Sequence, residues 1–130
     1  MQHSALNHGG KVEHSSRREY GSGLLHITTG SELFAELGPQ LDIWNSHGDK
    51  LTALPQGFRS SARTENSAFA AIEDPQRKLY ALQFHPEVAH TPRGREILQH
   101  FVYHICRCSM DWTMGSFVDE TCARICHQVG

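Results

Sequence analysis

An apolar run that stops abruptly at a proline constrains this chain more than any other segment. Leu79–Leu82 is continuously apolar and of strand length, which predicts a buried strand. Pro86 cannot extend a central strand, because proline has no N–H to donate to a ladder. It also restricts the preceding residue to extended geometry, which holds His85 out of the helical region. His85 and Glu87 are two residues apart in extended chain, so their side chains can lean the same way.

A histidine that is oriented by a carboxylate at the end of a buried strand has the arrangement of a general base. On this pattern His85 is a candidate general base and Glu87 the group that orients it. For an isolated His-Pro-Glu the alternative is a surface strand end that carries both side chains without a function, since short motifs often match by chance.

Composition narrows the class of protein. The chain has 130 residues, a hydrophobic fraction of 38% and a charged fraction of 20%, which fits one globular domain with its own core. A net charge of −2 gives no indication of a nucleic-acid partner or an anionic membrane. The first ten residues lack the basic region and apolar core of a secretion signal, so we expect a cytoplasmic location with reduced thiols.

The order of elements follows from periodicity and turn residues. The pattern predicts a helix end over residues 3–8, a polar and turn-rich segment over 11–23, and a helical turn over 31–37. Strands are predicted over 24–29, 41–44, 58–64, 68–73 and 78–84, with residues 45–49 as a tight loop. Two helices are predicted at the end, over 93–105 and 116–127.

Residues 80–91 resemble the C-terminal catalytic motif of the class I glutamine amidotransferases, and within that family the amidotransferase domains of GMP synthetases. The resemblance covers essentially the whole chain, with further motifs in the family's order. These are Met1-Gln2, Gly9-Gly10-Lys11, Arg18-Glu19-Tyr20-Gly21, residues 42–50, Leu54-Pro55, Gly57-Phe58, Ala70-Ala71-Ile72, Thr91, Gly94, Ile97-Leu98, Cys106, Cys108 and Trp112.

The resemblance implies an α/β fold, a partial flavodoxin-like open sheet flanked by helices. Residues 1–115 would be the C-terminal part of the amidotransferase domain, and residues 116–130 a helix leading toward a synthetase domain. It also implies substrate-binding roles for Gln2, Ser46, His47, Gly48 and Asp49, because residues around these positions bind L-glutamine in the family.

The implied chemistry is glutamine hydrolysis. A cysteine thiolate attacks the glutamine amide, His85 carries the proton, and Glu87 holds the imidazole in its working tautomer. The ammonia passes to an ATP-pyrophosphatase domain that aminates XMP to GMP. The glutaminase step needs no cofactor or metal, whereas the synthetase domain uses ATP and Mg. The resemblance further implies a homodimeric full enzyme.

The family's nucleophile lies in a G-x-C-x-G-x-Q elbow, of which Met1-Gln2 matches only the end. The four cysteines all follow His85 and do not match that position, so we expect a fragment of a longer enzyme that is inactive alone. The alternatives are a non-catalytic remnant that acts as a binding module and a small zinc domain. The zinc ligands would come from His104, Cys106, Cys108, Cys122, Cys126 and His127, although C-x-C is tighter than the usual spacing of structural zinc sites. The Arg18-Glu19-Tyr20-Gly21 motif is either an exposed turn or part of a pocket or domain interface.

Overall fold

Five strands form one open antiparallel sheet in a computed structural model of the chain. The structure describes residues 1–28, 30–111 and 113–130, apart from the side chains of Ser16 and Arg17. Trp112, on which one of the motif matches falls, lies outside the described residues. The strands are β1 (Lys11–Ile27), β2 (Gln40–Ala53), β3 (Arg59–Arg63), β4 (Ala71–Asp74) and β5 (Leu79–Leu82). Their spatial order is β2-β1-β3-β4-β5.

Helices pack on both faces of this sheet, as expected. The helices are α1 (Gln2–Asn7), α2 (Gly94–Gln99) and α3 (Met114–Val129), with a 3₁₀ turn at Glu32–Phe34 and a π-helical continuation of α2 at His100–Ile105. Ala71 and Ile72 are neighbours on β4, so their side chains point to opposite faces. Ala71 belongs to a core cluster with Ile97 of α2, and Ile72 to a second cluster with Ala5 of α1. Among the described residues, no helix is long and apolar enough to cross a membrane.

The segment predicted to be polar and turn-rich is instead most of β1. Residues 11–23 pair with β2 for much of their length, from Lys11 opposite Ala53 to Gly23 opposite Ile43. Several of their polar side chains, such as Glu13 and Tyr20, are exposed to solvent, whereas Ser15 and Glu19 are buried or nearly so. Backbone pairing therefore sets this strand, and the side-chain alternation that would have predicted it is absent.

The predicted tight loop over residues 45–49 is also wrong, because these residues continue β2. Asn45, Ser46 and His47 pair with Gly21, Tyr20 and Glu19. The irregularity lies in the partner strand, where residues 15–18 occupy the space opposite Gly48 alone. This is a bulge, a feature that is common beside active sites because it redirects side chains.

We expect Ile97→Ala to lower the free energy of unfolding by about 2–5 kcal/mol, because the side chain is fully buried between α2 and the sheet. The neighbouring substitution Leu98→Ala is the control, since Leu98 is 41% exposed. Urea unfolding of both variants measures the difference. Equal losses at the two positions would contradict the packing described for α2.

Candidate active site

The turn after β5 holds His85 and Glu87 in direct contact. Nδ1 of His85 lies 2.8 Å from Oε1 of Glu87, and both side chains are partly exposed. A carboxylate can only accept, so Nδ1 carries the hydrogen and donates it. Nε2 is then left with its lone pair, which is the form of imidazole that can take a proton from a nucleophile.

Glu87 is held in its charged form. Its own backbone N–H and the ring of His85 both donate to the carboxylate, and these hydrogen bonds hold the pKa of Glu87 below its usual range. Glu87 therefore remains an acceptor at neutral pH, which preserves the tautomer of His85.

Thr91 fastens the backbone of the His85 turn to the middle of β2. Its buried hydroxyl donates to the carbonyl of His85 at 2.6 Å and accepts the backbone N–H of Trp44 at 3.1 Å. The backbone N–H of His85 donates to the carbonyl of Trp44 at 3.0 Å. The turn is thus tied to Trp44 of β2 by two hydrogen bonds, and His85 is placed beside residues 46–49.

A cavity of about 630 Å³ opens beside His85. It brings together all five residues predicted to bind substrate. Its lining consists of Met1, Gln2, His3, Ser46, His47, Gly48, Asp49, Leu82, Gln83, Phe84 and His85. Glu87 is not in this lining, so it contacts the site through the ring of His85.

Asp49 contributes its backbone to this site. The carbonyl of Asp49 accepts the side-chain amide of Gln2 at 3.1 Å and that of Gln83 at 2.7 Å. Its carboxylate lies 2.9 Å from Nδ1 of the exposed His14. The start of α1, the middle of β2 and the end of β5 therefore meet at one oxygen.

Gln83 is the site residue that sequence reasoning missed. It is buried and stands between Leu82 and Phe84, and it makes three side-chain hydrogen bonds, to Ser67, His47 and Asp49. The sequence signal for Gln83 was a polar amide between apolar residues, because a polar group that is buried requires hydrogen-bond partners.

The Arg18-Glu19-Tyr20-Gly21 motif is part of β1 and not an exposed turn. Glu19 is mostly buried, with Oε2 at 3.1 Å from Nε2 of His47. Arg18, Glu19 and Tyr20 also line a second cavity, of about 520 Å³. The motif therefore lies directly across the ladder from Ser46 and His47.

The zinc alternative gains no support from the described residues. The four cysteines are exposed, and no group of three or more His, Cys, Asp or Glu side chains in that part of the chain could hold a metal ion. Structural zinc needs four converging ligands.

Comparison with known proteins identifies the family. The model of the family described as "Glutamine amidotransferase class-I" matches residues 1–105. The chain belongs to the class I glutamine amidotransferase family. This confirms the resemblance proposed from the motifs.

The relatives of this amidotransferase chain include much longer enzymes. It is 43% identical over 130 residues to a GMP synthase (glutamine-hydrolyzing) of Brachyspira hyodysenteriae, covering 100% of this chain and 25% of that protein. It is 47% identical over 123 residues to one of Dehalococcoides mccartyi, covering 94% of this chain and 23% of that protein. The chain thus spans about a quarter of the length of the curated relatives it matches.

Solved structures confirm the α/β fold class. A GMP synthase subunit protein from Thermoplasma acidophilum superposes with a TM-score of 0.77 at 31% identity, covering 82% of this chain and 53% of that one. A glutamine amidotransferase from Methylobacillus flagellatus gives 0.59 at 26% identity, covering 71% and 37%. The roles of the individual site residues stay predictions.

We expect Thr91→Val to lower the free energy of unfolding by about 1–3 kcal/mol, because valine keeps the shape and leaves the Trp44 N–H without its acceptor. Thr52→Val is the matched control, since the Thr52 hydroxyl makes one long, exposed hydrogen bond to Lys11. Urea unfolding provides the comparison. A Thr91 variant as stable as the Thr52 variant would contradict the role of the Thr91 hydroxyl in linking the His85 turn to β2.

Proposed function

We propose that this chain forms most of the glutaminase site of a GMP synthase, which hydrolyses L-glutamine to supply ammonia. One observation carries the proposal: His85, whose ring is oriented by Glu87 with the lone pair on Nε2, adjoins a cavity walled by Gln2 and residues 46–49. The family and the names of the relatives support the same chemistry.

The reaction begins with a thiol. His85 Nε2 takes the thiol proton, the thiolate attacks the side-chain amide carbon of glutamine, and the C–N bond breaks as the leaving nitrogen receives that proton and departs as ammonia. The glutamyl thioester that remains is hydrolysed by a water molecule, whose proton passes through His85 back to the thiol as glutamate leaves. Glu87 stabilises the imidazolium formed in each half.

The thiol comes from outside the described lining in this proposal. None of the described residues that line the cavity is a cysteine. The family's elbow places its cysteine four residues before the glutamine that Gln2 matches. Met1, Gln2 and His3 all line the cavity, and three residues of extended chain reach about 10 Å. A thiol at that position of the family's motif would therefore be within reach of His85.

Ser46, His47, Gly48 and Asp49 form the wall that holds the substrate. The Ser46 hydroxyl and the backbone of this segment are suited to the charged ends of free glutamine, since exposed polar groups on a rigid strand bind without reorganisation. Because the Asp49 carbonyl already accepts from Gln2 and Gln83, it orients these two side chains and leaves the Gln2 carbonyl for the ligand.

The remaining roles belong to the longer protein. Ammonia would pass to an ATP-pyrophosphatase domain, which uses ATP with Mg to convert XMP to GMP in purine nucleotide biosynthesis. That enzyme would be a cytoplasmic homodimer. Residues 116–130 would lead toward this domain: the match to the amidotransferase family ends at residue 105, and α3 has no buried residue among those described.

A binding module without catalysis is the second candidate. The observation that favours it is the absence of a cysteine from the described cavity lining. It differs from the first candidate in one measurable respect, because a binding module retains glutamine but never releases ammonia.

The test uses a chimeric enzyme in which residues 1–130 replace the aligned segment of the Brachyspira hyodysenteriae GMP synthase. We expect His85→Ala to reduce glutamine-dependent GMP formation by about 10²–10⁴-fold, because the proton carrier is lost. Ammonia-dependent GMP formation should persist, since free ammonia bypasses the site. Equal loss by both routes would show that His85 is structural, and a chimera that never uses glutamine while using ammonia would favour the binding module.

Glu87→Gln in the same chimera should reduce glutamine-dependent turnover less than His85→Ala does. The new side chain keeps a carbonyl that can accept the Nδ1–H of His85, but it loses the charge that stabilises the imidazolium. Steady-state rates with glutamine and with ammonia give the comparison. A Glu87 variant as inactive as His85→Ala would make Glu87 more than an orienting residue.

A further inference from the structure

A closed ring of hydrogen bonds lies behind the cavity wall, and the proposed reaction leaves most of it without a role. Its members are Glu19, His47, Thr64, Ser67 and Gln83, here called the His47 ring. They come from β1, β2, the segment between β3 and β4, and the end of β5. Thr64, Ser67 and Gln83 are buried, and the side chains of His47 and Glu19 are 9% and 11% exposed.

Five contacts close the ring. Ser67 Oγ donates to Gln83 Oε1 at 3.1 Å, and Gln83 Nε2 lies 3.0 Å from His47 Nδ1. His47 Nε2 lies 3.1 Å from Glu19 Oε2, and Thr64 Oγ1 donates to Glu19 Oε1 at 3.1 Å. The backbone N–H of Ser67 donates to Thr64 Oγ1 at 3.1 Å.

The directions of the two bonds made by His47 follow from one carbonyl. The Asp49 carbonyl can only accept, so the atom of Gln83 that contacts it at 2.7 Å is the amide nitrogen. The second hydrogen of that nitrogen then points at Nδ1 of His47, which must accept. The hydrogen of the imidazole is therefore on Nε2, which donates to the carboxylate of Glu19. The His47 ring thus holds one tautomer of a neutral histidine.

We propose that Glu19 and His47 are positioning residues of the glutaminase site, acting through Gln83. The amide of Gln83 reaches the Asp49 carbonyl, to which Gln2 also donates, and its backbone stands two residues before His85. When the amide of Gln83 is held in one orientation, Asp49 in the cavity wall is held in a fixed position relative to His85. The inference rests on the proposed function and assigns a role to Glu19 within the Arg18-Glu19-Tyr20-Gly21 motif.

Protonation of His47 would break the ring. A hydrogen on Nδ1 would face the NH₂ group of Gln83 and compete with it for the Asp49 carbonyl, so the amide would have to turn and release that carbonyl. Burial and the nearby His85 disfavour the charge of His47, whereas Glu19 favours it through its carboxylate and Asp49 favours it through a backbone hydrogen bond and its carboxylate. Burial is the largest of these, and it lowers the pKa of His47 below its ordinary value.

The sign of the pH dependence follows. The folded chain binds this proton less tightly than the unfolded chain does, so the stability that the neutral ring contributes is present above the ordinary histidine pKa of about 6.5. It decreases as the pH falls below that value toward the lower pKa of the folded state. Glutamine-dependent activity should decrease on further acidification, because protonation of His47 in the folded chain disrupts the His47 ring.

The first measurement is the state of the imidazole in the 130-residue chain with ¹⁵N-labelled histidine. We expect NMR to find His47 as the Nε2–H tautomer, with a pKa below the ordinary histidine value of about 6.5. An Nδ1–H tautomer, or a pKa of His47 at or above that ordinary value, would overturn the proposal. This readout does not depend on catalysis, so it separates failure of the ring from failure of the proposed function.

The second measurement uses two substitutions that change the pKa of His47 in opposite directions. Gln83→Glu replaces a donating amide with a carboxylate, which allows His47 to hold both protons between two acids and raises its pKa. Glu19→Gln keeps an oxygen that can accept from Nε2 but removes the charge, which lowers the pKa of His47 further. We expect histidine NMR of the 130-residue chain to find the pKa of His47 raised in the first variant and lowered in the second. In the chimeric GMP synthase, the acid limb of glutamine-dependent kcat/KM should shift to higher pH in the first variant and should not do so in the second, because His85 must also be unprotonated to accept the thiol proton.

The matched control is Gln40→Glu, which makes the same change beside His26 at an exposed position. It should leave the acid limb in place. We expect Gln83→Glu to reduce glutamine-dependent activity at neutral pH by about 10- to 100-fold, as a displaced site does, while ammonia-dependent activity persists. Activity losses without the shift of the acid limb in Gln83→Glu, or without opposite changes in the pKa of His47 in the two variants, would mean that the ring only supports the fold, and the positioning role would be wrong.

Discussion

The attachment of the β5 end to the middle of β2 is the constraint on which the site depends. The two strands lie at opposite ends of the sheet order. Even so, the backbone N–H of His85 donates to the carbonyl of Trp44, and the Trp44 N–H donates to the hydroxyl of Thr91. The side chain of Gln83 also donates to the carbonyl of Asp49. Hydrogen bonds of this kind contribute only about 0.5–1.5 kcal/mol each when formed, but they are costly to leave unmade when buried. Several such contacts therefore define one geometry, and His85 faces residues 46–49 because of it.

The bulge in β1 explains how a strand can form a binding wall. In a regular ladder, residues 46–49 would present alternate side chains to each face. Four residues of β1 stand opposite Gly48, so the regular alternation is interrupted there. On one side of this irregularity Glu19 reaches His47, and on the other His14 reaches Asp49. The wall is thus built by both strands, although its cavity-lining side chains come from β2.

The sequence predicts the apolar elements well and the polar ones poorly. The run before His85, the two strands of the β3–β4 pair and both final helices are recovered to within a few residues. The strand of that run is nevertheless half-buried and lies at the edge of the sheet, whereas a buried strand was predicted, and α3 has no buried residue among those described. β1 and the middle of β2 are missed, since their pairing uses backbone groups that every residue carries. The His85–Glu87 contact is local and follows from extended geometry. Gln83 and Glu19 enter the site through contacts of residues 36 and 28 positions away along the chain, which a linear pattern does not encode.

A titration of the 130-residue chain with L-glutamine, followed by backbone amide NMR, tests most directly whether the cavity beside His85 is the glutamine site. If it is, saturable shifts should occur at Gln2, at residues 46–49 and at residues 83–85, with D-glutamine producing much smaller ones. Shifts confined to the second cavity around Arg18 and Tyr20, or equal responses to the two enantiomers, would contradict this assignment.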